Sequence, residues 1–240
     1  MKLAFFGRGG MGRVVAERAR REGLEIGAVV TSADAGLDAG ALAPRLRGHD
    51  AAIDFSRADA VLRNATACAR AGVPLVEGTT GWQDREADVR RAIEQAAGGG
   101  AMIYGANFSL GVNLFYRIVR TASALFAGLE AYSAGIDETH HVRKKDAPSG
   151  TALKLRDILR ETLGGSGDVP VTSRREGDIP GIHRVTLESN ADRILLVHEA
   201  RSREGFAAGA LLAARWIAGR RGVYLFADVL DELLTLERTT

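Results

Sequence analysis

Lys2-Leu3-Ala4-Phe5-Phe6-Gly7-Arg8-Gly9-Gly10-Met11-Gly12 follows the first methionine. The apolar run 2–6 has strand length and stops at Gly7, while residues from about 11 to 21 repeat their apolar positions at helical spacing. Between them Gly7 to Gly12 fits G-x-G-x-x-G. That string is weak by itself in a chain with 29 glycines among 240 residues, and a plain strand-to-helix turn would also use it. Its placement decides the reading. Directly after a first strand and opening a helix, backbone N–H groups and the helix dipole hold a pyrophosphate. Gly7, Arg8, Gly9, Gly10, Met11 and Gly12 are therefore candidate dinucleotide ligands.

Outward from this loop, strand-like runs at 25–31, 51–55, 73–77 and 101–104 alternate with helical patterns at 57–71 and 84–97. That alternation predicts βαβ units and a parallel sheet, the arrangement of a Rossmann-type domain. In this fold an acidic residue at the end of the second strand binds the ribose 2′-hydroxyl. Here Thr31 and Ser32 stand at that place, and Asp34 comes late. Hydroxyls donate to a 2′-phosphate, and Arg8 and Arg13 add positive charge. NADPH and NADH are both expected as cofactors, with Asp34 as the counter-candidate for the ribose.

After residue 104 the rhythm changes. Helical patterns at 110–126 and 148–163 bracket a strand at 130–138, and a glycine-rich loop spans 164–168. Residues 169–200 read as successive strands, including 184–188 and 193–198, which predicts an antiparallel or mixed sheet. A last long helix covers 204–218, and 222–234 closes the chain. The expected architecture is α/β: an N-terminal Rossmann-type dinucleotide-binding domain of residues 1–108 and 217–240, and a second α+β domain of residues 109–216 on a mixed sheet, for substrate binding and oligomerisation.

Composition excludes several classes. With 46% hydrophobic and 26% charged residues the chain is that of a globular protein rather than a disordered one. A net charge of +2, from 32 basic and 30 acidic residues, argues against a nucleic-acid binder. Cys68 is the single cysteine, so no internal disulfide or cysteine-based metal site forms. The longest apolar stretch, 206–219, contains Arg215 and is too short to cross a bilayer. A cytoplasmic protein with no membrane partner is the expectation.

The densest polar stretch is Asp137-Glu138-Thr139-His140-His141-Val142-Arg143-Lys144-Lys145-Asp146-Ala147-Pro148-Ser149-Gly150-Thr151. Lysine is rare here, four residues in the whole chain, yet two of the four lie in this stretch. Lysine gives up a proton where arginine cannot. Asp146 and Pro148 signal a helix start, which places free N–H groups and the Thr151 hydroxyl beside a cationic cluster and suits a carboxylate. Lys145 reads as part of a solvated charge run. No metal is expected, because neighbours on a strand point to opposite faces and no third ligand stands near His140 and His141.

With these residues in view, the sequence resembles the dihydrodipicolinate reductase (4-hydroxy-tetrahydrodipicolinate reductase) family along its whole length. The shared motifs run in order. They are the glycine loop with Met11, Asp54-Phe55-Ser56, Glu77-Gly78-Thr79-Thr80-Gly81, Ala106-Asn107-Phe108-Ser109-Leu110-Gly111-Val112-Asn113, His140-His141-x-x-Lys144, Asp146 to Thr151, Arg175-Glu176-Gly177 and Pro180-Gly181-x-His183. The resemblance implies that Gly78, Thr79, Thr80, Gly105, Ala106, Asn107 and Phe108 line the nicotinamide side of the cofactor site. It also implies that His140 gives or takes a proton, that Lys144 donates one, and that His141, Gly150 and Thr151 hold a dicarboxylate substrate. The implied reaction reduces a cyclic unsaturated imine dicarboxylate to tetrahydrodipicolinate, on the path to diaminopimelate and lysine, in a homotetramer. The competing readings are a related two-domain NAD(P)-dependent reductase of another small anion and a dinucleotide-sensing module without catalysis. The first does not account for residues 146–151. The second does not need His140 and Lys144.

Overall fold

The structure is a computed structural model that describes residues 1–164 and 168–239. The chain forms two compact units, Met1–Ser109 with the chain from Glu204 onward, and Leu110–Arg203. The first contains β1 (Lys2–Phe6), α1 (Gly10–Arg21), β2 (Glu25–Val30), α2 (Ala39–Leu46), β3 (Ala51–Asp54), α3 (Val61–Ala71), β4 (Leu75–Glu77), α4 (Glu86–Glu94) and β5 (Ala101–Tyr104). The second contains α5 (Leu110–Ala124), β6 (Ser133–His140), α6 (Gly150–Leu163), β7 (Val171–Arg175), β8 (Gly181–Glu188) and β9 (Arg193–Ala200). The chain then adds α7 (Glu204–Ile217), β10 (Gly222–Leu225) and α8 (Leu230–Thr239) to the first.

In the first unit six parallel strands lie in the order β10-β5-β4-β3-β1-β2. The order reverses at β1, so loops diverge at the carboxyl edge there and leave a crevice. β3 and β4 are buried along their whole length, as strands inside a covered parallel sheet must be, and each ends in a buried acid, Asp54 and Glu77. Two features escape the sequence pattern. Helix α2 is short, contains Pro44 and begins after Asp38, whose side chain accepts the Ala41 N–H. Strand β10 pairs with β5 from Gly222 to Leu225, inside the stretch that the sequence leaves without an assigned element.

The sequence reading keeps 204–216 with the second domain. The structure gathers Glu204–Ile217 into the first unit instead. Ala207, Ala210, Leu211 and Ala214 of α7 are buried, and α7 lies against β3, β4 and α1. Arg18 and Arg21 of α1 reach Glu204 at 3.4 and 2.7 Å, and Arg215 reaches Glu22 at 2.5 Å. The helical period alone does not tell which sheet its small, apolar face will cover.

In the second unit the order β7-β6-β8-β9 is mixed: β6 and β7 run parallel, joined through α6, while β6–β8 and β8–β9 are antiparallel. Phe115 and Val119 of α5 and Leu155, Ile158 and Leu159 of α6 close a core with Ile136, Val185 and Leu187 of the sheet. The expected strand at 130–138 is shifted to Ser133–His140, which puts His140 at its carboxyl end. The glycine-rich loop expected at 164–168 lies largely outside the described residues. Among the described residues, no helix is long and apolar enough to cross a membrane.

Candidate active site

The glycine loop is built for close approach. Gly7 has φ +91°, and a Cβ on it would stand 2.8 Å from the Phe55 carbonyl oxygen. A Cβ on Gly12 would stand 2.5 Å from the Gly7 oxygen. The N-terminus of α1 follows Gly9 with no side-chain cap, so its first N–H groups are available to an anion. In front lies a cavity of about 810 Å³ lined by Gly7, Arg8, Gly9, Thr31, Ser32, Phe55, Ser56 and the aliphatic or charged parts of Arg57 and Arg63, among others. These residues fit a dinucleotide.

The site residues read from the sequence divide around this cavity. Gly7, Arg8, Gly9, Thr31 and Ser32 line it. Gly10 and Met11 sit in the first turn of α1. Arg13, expected to add charge, lines a separate cavity with Gly12, Glu17 and Arg20. Asp34 does not reach inward. Its Oδ2 accepts the Thr31 N–H at 2.8 Å in a capping box, and its Oδ1 accepts from Arg45 at 2.6 Å. The Thr31 amide and then Arg45 hold its carboxyl below the usual carboxylate range. Arg57 and Arg63, which the sequence reading passes over, are cavity residues, and Arg63 donates to the carbonyls of Asp34, Ala35 and Leu37.

The strand-end loops lie elsewhere in this unit. Thr79 is buried and Thr80 exposed, and Gly78 sits beneath the Phe55 ring. Phe108 is 2% exposed, with its ring centroid 6.2 Å from Phe55 and 4.7 Å from Phe226. Its side chain is therefore part of the packing under the site. Asn107 accepts the Ser109 N–H at 2.8 Å and shapes the turn into α5.

In the second unit, His140 ends β6 with 7% exposure. Glu138, two residues earlier and on the same face, is fully buried, and its Oε2 lies 2.7 Å from His140 Nδ1. Glu138 Oε1 accepts the Ser149 N–H and an Arg175 N–H, both at 3.0 Å. Burial alone would raise this carboxyl, but hydrogen bonds from His140, Ser149 and Arg175 outweigh it and hold the group well below its ordinary value. Two nitrogens of the Arg175 guanidinium serve this loop: Nε donates to the Lys144 carbonyl at 3.2 Å, and Nη2 also donates to the Asp146 carbonyl at 2.5 Å, while Nη1 donates to the Arg174 carbonyl. One arginine thus ties the partner of His140 to the loop that carries Lys144. Lys144 Nζ lies 2.9 Å from Asp146.

Across β8, His183 pairs in register with Glu138, and its Nε2 stands 3.3 Å from the Ser149 hydroxyl. Burial, then the neighbouring His140, pushes its imidazole down to about 3, so it stays neutral. The absence of a third ligand expected from the sequence is corrected by this pairing. Glu138, His140 and His183 present ligand atoms within 4.8 Å of one another. The 2.7 Å separation of His140 Nδ1 and Glu138 Oε2 is nonetheless too short for two ligands of one ion. Two ligands of one tetrahedral ion with bonds of about 2.0–2.1 Å would stand about 3.3 Å apart.

Helix α6 starts two residues later than the expected 148, at Gly150. Ser149 caps it by accepting the Ala152 N–H, leaving Gly150 and Thr151 in the first turn. The Thr151 hydroxyl is not idle, because it bonds with the buried phenol of Tyr116. His141 lies just past the strand with Arg203 Nη2 at 3.5 Å. Burial, then the charges of Arg143 and Arg203, lowers its imidazole, which marks a locally positive surround. Lys145 is exposed. Glu138 was legible in principle, since a strand places residues 138 and 140 on one side. The roles of Arg175 and His183 depend on strand pairing, which a single sequence does not display.

Comparisons with known proteins agree over the whole chain. Residues 1–108 match the family description "Dihydrodipicolinate reductase, N-terminus", and residues 111–230 match "Dihydrodipicolinate reductase, C-terminus". A 4-hydroxy-tetrahydrodipicolinate reductase of Christiangramia forsetii is 41% identical over 77% of this chain and 80% of its own. One of Archaeoglobus fulgidus is 37% identical over 96% of this chain and 100% of its own. The solved structure of a dipicolinate-bound dihydrodipicolinate reductase from Paenisporosarcina covers 95% of this chain and 99% of its own with a TM-score of 0.76, at 20% identity.

Proposed function

The chain belongs to the dihydrodipicolinate reductase family, and we propose that His140 and Lys144 carry the proton chemistry of its reduction. The reaction transfers hydride from NADPH or NADH to a cyclic unsaturated imine dicarboxylate and yields tetrahydrodipicolinate, a step of diaminopimelate and lysine biosynthesis. When bound, the nicotinamide supplies the hydride. Gly7, Arg8, Gly9, Gly10, Met11, Gly12, Thr31 and Ser32 would hold its dinucleotide, and Gly78, Thr79, Thr80 and Gly105 to Phe108 the nicotinamide side. Gly150, Thr151 and His141 would hold the substrate carboxylates at the positive end of α6.

The observation that carries this reading is the chain of contacts from the Lys144 carbonyl through Arg175 to the buried Glu138 and His140, beside the cap of α6. Glu138 fixes a proton on Nδ1 of His140, which leaves Nε2 to exchange protons with a substrate. The Lys144 ammonium, held by Asp146, would deliver the proton that the reduced ring takes up. The test is cofactor oxidation with the cyclic imine prepared in situ. His140→Ala and Lys144→Ala should each lower turnover about 10²–10⁴-fold, with NADPH binding retained, while Lys145→Ala stays near wild type. Wild-type turnover in either of the first two would overturn the assignment.

We also propose assembly of four copies through the second unit. Leu195 and Val197 on β9 are 48% and 47% exposed on one face of an edge strand, an apolar pair that a second copy would cover. Sedimentation equilibrium of wild type against Leu195→Asp checks it.

A further inference from the structure

Asp54 and Glu77 end the neighbouring strands β3 and β4, pair in register and are both 0% exposed. Their hydrogen bonds are unequal. Asp54 Oδ1 accepts the Ser56 N–H at 2.7 Å and the Thr79 hydroxyl at 3.4 Å, and its Oδ2 accepts the Asn64 amide at 2.7 Å. Glu77 Oε1 accepts the Thr79 N–H at 2.7 Å, but no N–H or O–H donor reaches Oε2. In-register pairing on adjacent parallel strands turns both buried carboxyls to the same face of the sheet, side by side.

The surroundings supply no counter-charge. β1 presents Phe6, β5 presents Tyr104 whose hydroxyl donates to Glu86, and α7 covers the strands with side chains such as Ala207, Ala210 and Leu211. Helix α3 presents Asn64 and Cys68, whose thiol is pushed up by burial and then by the two carboxyls. Among the described residues neither acid forms an ion pair. Two adjacent carboxylates in a dry site without a cation do not both ionise.

We propose that Asp54 and Glu77 share one proton, with Glu77 the neutral acid, and that this pair is a positioning device for cofactor binding. Asp54 keeps the charge because three donors converge on it. Through those donors it fixes Ser56, a cavity residue, and Asn64, which also holds the Ser56 hydroxyl at 3.2 Å. Thr79 bonds to both acids and accepts the Trp82 indole N–H at 2.8 Å, so the loop 78–80 hangs on the same pair. Burial and then Asp54 raise the Glu77 carboxyl well above its ordinary value, in agreement. The inference rests on the cofactor reading above.

Two measurements test it. Infrared difference spectra of wild type against Glu77→Gln at neutral pH should contain a carboxylic-acid carbonyl band that the variant loses; a wild type with only carboxylate bands overturns the proposal. NADPH titrations followed by the fluorescence of Trp82, beside the loop, should show Glu77→Gln within about twofold of wild type, because its amide donates in place of the proton. Glu77→Leu should bind about tenfold or more weakly, because Thr79 N–H is left without its acceptor. The KM for the dicarboxylate should stay unchanged in both. A folded Glu77→Leu that binds NADPH as wild type does overturns the positioning role, and if that variant fails to fold, the infrared band and Glu77→Gln decide. Gly12→Val separates the two readings. Wild-type NADPH binding in that variant would reject the glycine-loop site itself, with the infrared result standing apart.

Discussion

Nδ1 of His140 lies 2.7 Å from Oε2 of Glu138, and the other oxygen of that carboxylate is held by Arg175 and by the cap of α6. The neighbouring carboxylate assigns the imidazole proton to Nδ1. The His140 ring, the loop of Lys144 and the N-terminus of α6 are thus tied to one buried carboxylate.

Arg175→Lys should separate geometry from charge. Lysine keeps the positive charge against Glu138 but cannot reproduce a fork that serves the Lys144 and Asp146 carbonyls together. Turnover should fall about 10–100-fold, on the order of 1.4–3 kcal/mol, with NADPH affinity unchanged. Steady-state kinetics beside a direct NADPH titration checks this, and unchanged turnover would remove Arg175 from the site.

Glu138 and Glu77 should make opposite contributions to stability as pH changes. Glu138 is depressed in the folded chain, so its contribution is present above its unfolded value of about 4.3 and lost as pH falls toward the folded one. Glu77 is raised, so its contribution is present below about 4.3 and lost as pH rises toward the folded value. Urea unfolding should therefore show Glu138→Gln destabilised at pH 7, by about 3–5 kcal/mol for a broken buried pair, with the gap narrowing in acid. Glu77→Gln should be more stable than wild type at pH 7 and equal to it near pH 4. Gaps that do not move with pH would contradict both assignments.

Thr151→Val removes a hydroxyl from the first turn of α6 but also its bond with Tyr116. Tyr116→Phe removes that bond alone. If Thr151 holds a substrate carboxylate, Thr151→Val should raise KM by an amount worth about 1.5–3 kcal/mol, and Tyr116→Phe should raise it far less. Equal effects would assign the hydroxyl to packing.

The fold was legible where local signals are strong. The glycine loop announces β1 and α1, and Gly72 stops α3, each by a backbone requirement written in the residue itself, while the start of α6 was read near Pro148 and falls at the Ser149 cap. Helix α2 was hidden by Pro44 and by the glycines around its start, and β10 by a strand of four residues. The assignment of α7 failed because an apolar helix does not record which sheet it covers. At the site, His140 and Lys144 were visible as unusual residues in one stretch. Their supports were not, since Arg175 and His183 arrive from β7 and β8 through strand pairing. Asp34 stood open in the sequence for a similar reason, because its capping role appears once the turn at Thr31 is formed.

That turn bears on the last expectation, the choice between NADPH and NADH. An acidic residue ending β2 would bind a ribose 2′-hydroxyl and repel a 2′-phosphate. Thr31 and Ser32 line the cavity there, together with Arg8, Arg57 and Arg63. Asp34, the counter-candidate for the ribose, is bound to the Thr31 amide and Arg45. Arg57 is partly neutralised by Asp59 at 3.0 Å, and Arg63 is engaged by three carbonyls. Among the described residues Arg8 forms no ion pair, which makes it the guanidinium best placed to gain from a phosphate. NADPH should therefore serve at least as well as NADH in kcat/KM at low ionic strength, where charge is least screened. Arg8→Ala should lower the NADPH value about tenfold more than the NADH value, about 1.4 kcal/mol. Asp34→Ala should leave the ratio near wild type while lowering Tm through the lost cap. A wild-type preference for NADH of about tenfold or more, abolished by Asp34→Ala, would instead show that the carboxylate leaves its cap for the ribose.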